Sequence, residues 1–218
     1  MIREPYVMDC WFDSGCASFA QWHYPFENKE KFEGVFPVDY ICEAVDQTRG
    51  WFYSLLAVST TVFDNVAYKR CLSLGHILDK DGKKMSKSRG NVVNPWDHFN
   101  KEGSDAVRWY MMTQSAPWTP PNFDPNGVRE SYAKMFLTLW NVHKFYSDYA
   151  SLDNFDPEDN DSYVDINDRS HLDKWILSRM TTVAENYHVF FVTWDFDKAG
   201  RELENFVIND LSNWAVRR

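Results

Sequence analysis

The spacing of apolar residues in the first half of the chain predicts an α/β arrangement. Residues 38–42 form a short apolar run that is typical of a buried strand, and residues 71–78 form a second one. Between them, the apolar residues of 48–62 recur at helical spacing. A strand, a helix and a strand within roughly 40 residues make a βαβ unit, so we predict a parallel sheet.

The second half of the chain has the apolar pattern of long helices. Apolar residues recur at three- and four-residue spacing in 132–149, 172–187 and 199–214. An acidic stretch at 151–170, which includes Asp161, joins the first of these predicted helices to the second. The pattern predicts an all-α helical bundle.

A proline-rich segment, residues 115–127, separates the two patterns and has the composition of a domain boundary. We therefore expect an α/β domain over residues 1–122 and the helical bundle over 123–218. Within the first domain, Pro95 is expected to begin a helix and Ser104 to cap the next one.

Charge argues against one broad class of function. The chain carries 23 Lys and Arg against 32 Asp and Glu, a net charge of −9, whereas a general polyanion-binding protein is usually basic. Positive charge is concentrated only in residues 79–90, where five Lys and Arg face two Asp, or +3. A contact with nucleic acid would have to use such a local patch.

The cysteines indicate a reducing compartment. The four cysteines, at positions 10, 16, 42 and 71, form no C-x-x-C pair and no zinc-type cluster with histidine. We interpret them as free thiols in the cytoplasm. We also expect no membrane association, since no apolar run approaches the roughly 20 residues of a membrane span and no secretory signal pattern is present.

The basic patch contains a specific motif, Lys84-Met85-Ser86-Lys87-Ser88. The five residues match the lysine-rich signature of the class I aminoacyl-tRNA synthetases letter for letter. They follow a predicted strand and the turn at 79–82, which is the order expected in that family.

Other segments narrow the resemblance to the isoleucine enzymes. The stretch Glu43-Ala44-Val45-Asp46-Gln47-Thr48-Arg49-Gly50-Trp51-Phe52 resembles a block of those enzymes, as does the segment 9–15. Residues 172–178 and 210–214 resemble their helical domain. One departure lies in the first block, where Ala44 stands in place of the usual glycine.

The resemblance implies a fold and a reaction. The fold is the second half of a Rossmann-type nucleotide-binding domain with a parallel sheet, followed by the start of a helical anticodon-binding domain. In the reaction, isoleucine is activated with ATP to isoleucyl-adenylate and pyrophosphate, and the acyl group is then transferred to tRNA(Ile). ATP is a substrate that brings Mg²⁺ with it. We expect no metal site within these residues, no protein partner and a monomeric parent enzyme.

The resemblance assigns the phosphate chemistry to the lysine motif. Lys87 and Lys84 are the expected catalytic cations, because a flexible lysine can follow charge as it moves toward the departing pyrophosphate. With Ser86 they form the expected ATP-binding set, although shaping the loop is an alternative role for Ser86.

Five further residues are expected to bind the aminoacyl-adenylate. Glu43 ends the first predicted strand, at the sheet edge where ligands bind in open α/β folds, although a helix-capping role is its alternative. Asp46 and Gln47 share the following turn and offer hydrogen bonds. Trp51 and Trp11 are expected to form apolar walls for the isoleucine side chain, although either residue alone could be plain core.

Two other functions remain open at this stage. One is a closely related valine or leucine enzyme, and the other is a non-catalytic tRNA-binding helical module. The resemblance also places a His-Ile-Gly-His segment and an editing domain before Trp11, and further helices beyond Arg218. We therefore expect the 218 residues alone to be catalytically inactive.

Overall fold

The computed structural model describes residues 3–159 and 163–218. They divide into two compact units: the first holds the described residues up to His76 with Pro117–Pro120, and the second holds Ile77–Ala116 and Pro121–Arg218. This division differs from the domain boundary expected at residue 122, which stays a prediction. Asp161, named above in the acidic stretch, lies outside the described residues.

The first unit contains the predicted βαβ arrangement. Strands β1 (Ile41–Ala44) and β2 (Cys71–Leu74) pair in parallel, with Ile41 opposite Cys71 and Ala44 opposite Leu74. Helix α4 (Trp51–Phe63) connects them. The parallel sheet predicted from the sequence is confirmed.

The ends of these elements differ from the prediction. A 3-10 turn, Val45–Arg49, follows β1 directly, so α4 begins at Trp51 and not at residue 48. Strand β2 ends at Leu74 and not at residue 78, because the partner strand has already turned away. The amide of Gly75 instead donates to the carbonyl of Pro117 at 3.0 Å.

Three short helices, α1 (Cys10–Gly15), α2 (Ala17–Ala20) and α3 (Lys29–Val35), complete the first unit. Helix α4 is rich in apolar residues, and its buried residues recur mostly at three- and four-residue spacing. Phe52 and Leu55 pack with Ile41 of β1 and with Ala67 in the core. The start of α4 is therefore fixed against the sheet.

The second unit is mainly helical, and it contains residues 123–218, for which the sequence predicts a helical bundle. Its α-helices are α5 (Pro95–Glu102), α6 (Ser104–Gln114), α7 (Pro125–Ser131), α8 (Thr138–Leu152), α9 (His171–Val192) and α10 (Phe196–Asn205). A 3-10 turn covers Lys87–Arg89, and π-helical stretches cover Tyr132–Leu137 and Phe206–Ala215. None of the helices in the described part of the chain has both the length and the apolar character needed to cross a membrane.

The sequence predicts two helix starts in this unit, and one of them agrees with the structure. Pro95 is the first residue of α5, as predicted, and the side chain of Asn94 accepts from the amide of Trp96. The prediction that Ser104 caps α6 is wrong, since Ser104 is the first helical residue. The capping position is held by Gly103 at a φ of 88°, a backbone conformation that favours glycine.

Two apolar clusters hold the second unit together. The first is formed by Ala106, Val107, Tyr110, Phe123 and Val128. The second joins the later helices and is formed by Met135, Val183, Phe206 and Val207. Met85 packs against the first cluster, so the lysine motif is attached to the helical core through its own methionine.

Candidate active site

The predicted adenylate-binding residues lie around the carboxyl end of β1. Glu43 is the third residue of the strand, and its exposed side chain makes no hydrogen bond or ion pair with the residues that the structure describes. The alternative of a helix-capping acid therefore finds no support here. Ala44, which replaces a glycine of the family pattern, has ordinary extended backbone angles (φ −70°, ψ 159°), so the position does not require glycine.

The 3-10 turn after β1 carries the next two predicted residues. Asp46 lies opposite a histidine that the sequence interpretation did not select, since Nε2 of His76 is 4.0 Å from Oδ1 of Asp46. Asp46 follows the end of β1 and His76 follows the end of β2. The parallel register thus brings both side chains to the same sheet edge.

The side chain of Gln47 is bonded within the protein. Its Oε1 accepts from the amide of Trp51 at 2.8 Å, and its Nε2 donates to Oδ2 of Asp46 at 3.2 Å. The first bond satisfies an amide at the start of α4, where Gly50 has no side chain to do so. Gln47 therefore orders the start of the helix on which Trp51 lies.

Both predicted wall residues lie near the start of α4. The indole Nε1 of Trp51 donates to the carbonyl of Ser14, the fifth residue of α1, at 3.0 Å. Trp11 lies on the same helix, and a Cβ atom placed on Gly50 would be 3.3 Å from its ring atom Cη2. Trp11 is 44% exposed. A partly exposed indole near the start of the helix that carries a second, hydrogen-bonded indole is an arrangement that suits an apolar ligand.

The lysine motif lies in the second unit, at the end of a small hairpin. Leu78 and Lys84 form an antiparallel bridge, and the amide of Asp79 donates to the carbonyl of Lys83 at 2.8 Å. Gly82, at a φ of 74°, provides the turn. We call residues 84–88 the lysine loop.

The functional groups of the lysine loop point into solvent. Lys84 and Lys87 are exposed, and neither forms an ion pair with any residue in the described part of the chain. The Oγ atoms of Ser86 and Ser88 are 3.2 Å apart, which fits a role for Ser86 in shaping the loop. The two ammonium groups are thus available to an anionic ligand.

Comparison with known proteins settles the family. The family model of the tRNA synthetases class I (I, L, M and V) matches residues 1–122. The chain belongs to this family. It is also 53% identical over 218 residues to the isoleucine–tRNA ligase of Clostridium novyi, and 46% identical over 217 residues to that of Cytophaga hutchinsonii. The resemblance deduced from the sequence is confirmed.

Solved structures agree with the fold. A ternary complex of Agrobacterium radiobacter LeuRS with tRNA and LeuAMS aligns with a TM-score of 0.75 at 17% identity, covering 98% of this chain and 28% of that one. The methionyl-tRNA synthetase of Mycobacterium tuberculosis, in complex with methionyl-adenylate, aligns at 0.74 with 19% identity, covering 94% and 39%. The predicted fold class, α/β followed by helices, is confirmed.

The share of the relatives that this chain spans is small. It is matched over 100% of its own length, yet it covers 21% of the Clostridium novyi protein and 19% of the Cytophaga hutchinsonii protein. The predicted site residues fall into two sets, one in each compact unit. The first holds Glu43, Asp46, Gln47, Trp51 and Trp11, and the second holds Lys84, Ser86 and Lys87.

Proposed function

We propose that the full-length protein containing this chain is an isoleucine–tRNA ligase. It activates isoleucine with ATP and transfers the acyl group to tRNA(Ile). The observation that carries the proposal is the pair of indoles near the start of α4, with Trp51 bonded to Ser14 and the exposed ring of Trp11 close to Gly50. A flat apolar wall, together with the uncommitted carboxylate of Glu43 near the end of β1, suits an amino acid that has an aliphatic side chain and an ammonium group.

In this proposal, the lysine loop acts on the phosphates. The isoleucine carboxylate attacks the α-phosphorus of ATP, and the bond to pyrophosphate breaks. Negative charge then grows on the departing oxygens. Lys87 and Lys84, which have no competing carboxylate among the described residues, stabilise that charge, and Ser86 contributes to the ATP site.

The strand-end residues hold the adenylate. The free carboxylate of Glu43 binds the substrate ammonium or a ribose hydroxyl. Asp46 and Gln47 add hydrogen bonds beside it, with Gln47 also fixing Trp51. Trp51 and Trp11 contact the isoleucine side chain. Discrimination from valine rests on one methylene, which a pocket of this kind can exploit only by about 1–3 kcal/mol.

The remaining features of the proposal concern the surroundings of the reaction. ATP is used with Mg²⁺, which serves with the nucleotide as substrate. The enzyme works as a monomer in the cytoplasm, with tRNA(Ile) as its macromolecular partner. The net charge of −9 requires that tRNA contact be made by local basic residues.

The test is amino-acid-dependent exchange of labelled pyrophosphate into ATP by the full-length protein. Isoleucine should support the fastest exchange, measured as kcat/KM, with valine slower and leucine and methionine near background. Faster exchange with leucine or valine would assign the protein to one of those enzymes. Absence of exchange with all four amino acids, with tRNA binding retained, would favour a non-catalytic tRNA-binding module.

A further inference from the structure

Asn91, three residues beyond the lysine loop, bonds back to it with its side-chain amide. Its Oδ1 accepts from the amide of Ser86 at 2.9 Å. Its Nδ2 donates to the carbonyl of Lys84 at 3.3 Å and to Oδ2 of Asp79 at 2.8 Å. One side chain therefore contacts the backbone of the loop at two positions.

Asp79 bonds the turn that precedes the lysine loop. Its Oδ1 accepts from the amides of Lys83 and Asp81 at 2.8 and 3.0 Å, while its Oδ2 accepts from Asn91. The hydrogen bond from Asn91, followed by that from the Lys83 amide, lowers the pKa of this carboxyl group. Asp79 is thus an anion that accepts hydrogen bonds from the turn before the lysine loop and from Asn91 after it.

A chain reversal at Gly90 brings Asn91 back to the lysine loop. After the 3-10 turn Lys87–Arg89, Gly90 adopts a φ of 68°, a left-handed conformation that suits glycine and reverses the chain. Asn91 then lies next to the hairpin that begins at Leu78. As a result, the backbone on both sides of Met85 is bonded, whereas the ammonium groups of Lys84 and Lys87 are not.

From this arrangement we infer that Asp79 and Asn91 are positioning residues. Asn91 bonds the backbone of the lysine loop, while Asp79 bonds Asn91 and the turn that precedes the loop. Together they hold Lys84 and Lys87 in place before ATP binds. We call the two residues the loop brace. The inference rests on the proposed function for its catalytic consequence, because a loop that is already ordered loses less entropy when its lysines meet the phosphates.

The experiment exchanges the two side chains in the full-length protein. In Asp79→Asn the new amide faces the Nδ2 of Asn91, so two donors meet. In Asn91→Asp two carboxylates meet instead. In the double variant, the amide now at position 79 donates to the carboxylate now at position 91, which still accepts from the amide of Ser86. Only the bond to the carbonyl of Lys84 is lost.

Each single variant should lower kcat for isoleucine-dependent pyrophosphate exchange by roughly tenfold, the scale of one net hydrogen bond to a charged group. The KM for isoleucine should stay within about twofold. The double variant should recover most of the lost rate. A residue with a merely structural role would lower the amount of folded enzyme without this split between kcat and KM and without recovery.

Trypsin provides a readout that does not depend on the reaction. It cleaves after the lysines and arginine of 83–89, so an unbraced loop should be cut about tenfold faster in either single variant and near the wild-type rate in the double variant. Asn94→Asp makes the same chemical change just outside the loop, at the cap of α5, and should leave loop cleavage unchanged.

The two readouts separate the two ideas. If cleavage responds as expected but no amino acid supports exchange, the loop brace stands and the proposed function fails. If isoleucine supports exchange but the single variants match the wild type in both cleavage and kcat, the loop brace is refuted and the proposed function stands. Equal loss in the single and double variants would also refute the pairing of Asp79 with Asn91.

Discussion

A single methyl group at Gly15 should disturb both predicted tryptophan walls. Gly15 ends α1 and lies against α4 so closely that a Cβ atom there would be 2.8 Å from the carbonyl oxygen of Ser54. It would also be 3.0 Å from Cγ2 of Val58. Because the nearest atom belongs to the helix backbone, α1 itself must move in Gly15→Ala, and Trp11 moves with it.

The expected cost follows from two contacts. Overpacking of this kind costs about 1–3 kcal/mol of unfolding free energy. Movement of α1 also strains the bond from Trp51 to the carbonyl of Ser14, worth about 0.5–1.5 kcal/mol. The higher helix propensity of alanine stabilises the variant by at most about 1 kcal/mol, and by less at a helix end. The net loss of stability should be roughly 1–3 kcal/mol.

The matched control is Gly34→Ala. Gly34 lies in α3, also within the first unit, but a Cβ atom there meets nothing within 4 Å. Urea unfolding of the chain should show Gly15→Ala destabilised and Gly34→Ala unchanged or stabilised by up to about 1 kcal/mol. In the full-length enzyme, Gly15→Ala should raise the KM for isoleucine several-fold and leave that for ATP unchanged. If both variants behave alike, the close approach of α1 to α4 does not position the tryptophans.

Three further predictions test individual residues. Lys87→Ala should lower the rate of adenylate formation, measured by single-turnover kinetics, by roughly 10²–10³ and leave isoleucine affinity unchanged. A rate within about threefold of wild type would remove Lys87 from the catalytic residues. Trp51→Ala should reduce the ratio of kcat/KM for isoleucine over valine in pyrophosphate exchange, and an unchanged ratio in folded enzyme would make it a core residue. The hydrogen bond from Asn91 lowers the pKa of Asp79 in the folded protein. Asp79 should therefore stabilise the fold above about pH 4, where an unfolded aspartate is ionised, and this contribution should be lost as pH falls through the lower folded pKa. The urea midpoint of Asp79→Asn should therefore lie below the wild type at neutral pH and converge with it in acid.

Local patterns in the sequence were sufficient for the elements but not for their ends. The apolar runs and the helical spacing between them correctly predict β1, α4 and β2 and their parallel pairing. Strand β2 stops at Leu74 because β1 turns into a 3-10 helix and Pro117 approaches Gly75 from a distant part of the sequence. No local pattern contains that contact.

The predicted site shows the same limit. The lysine loop is predicted from its five-residue motif and from the strand and turn before it, and Glu43 from its place at a strand end and from the family resemblance. No periodic sequence pattern predicts the loop brace, because it depends on the side-chain amide of Asn91 bonding two backbone groups and the carboxylate of Asp79. His76 could have been found, because a parallel register places the residues after two paired strands at one edge. The capping role of Gln47 was also accessible, since Gly50 leaves the Trp51 amide without a side-chain acceptor.

The strand-end set and the lysine loop with its brace both contain two kinds of side chain, those bonded within the protein and those left uncommitted. Some side chains hold backbone, as Gln47 holds the amide of Trp51 and Asn91 holds that of Ser86. Others, such as Glu43 and Lys87, have no hydrogen bond or ion pair through their side chains within the described residues. Removing a holding side chain leaves backbone groups without partners, so it should lower both stability and rate. Removing an uncommitted one takes nothing from the fold, so it should lower rate alone, and this difference is what separates the two roles in a substitution series.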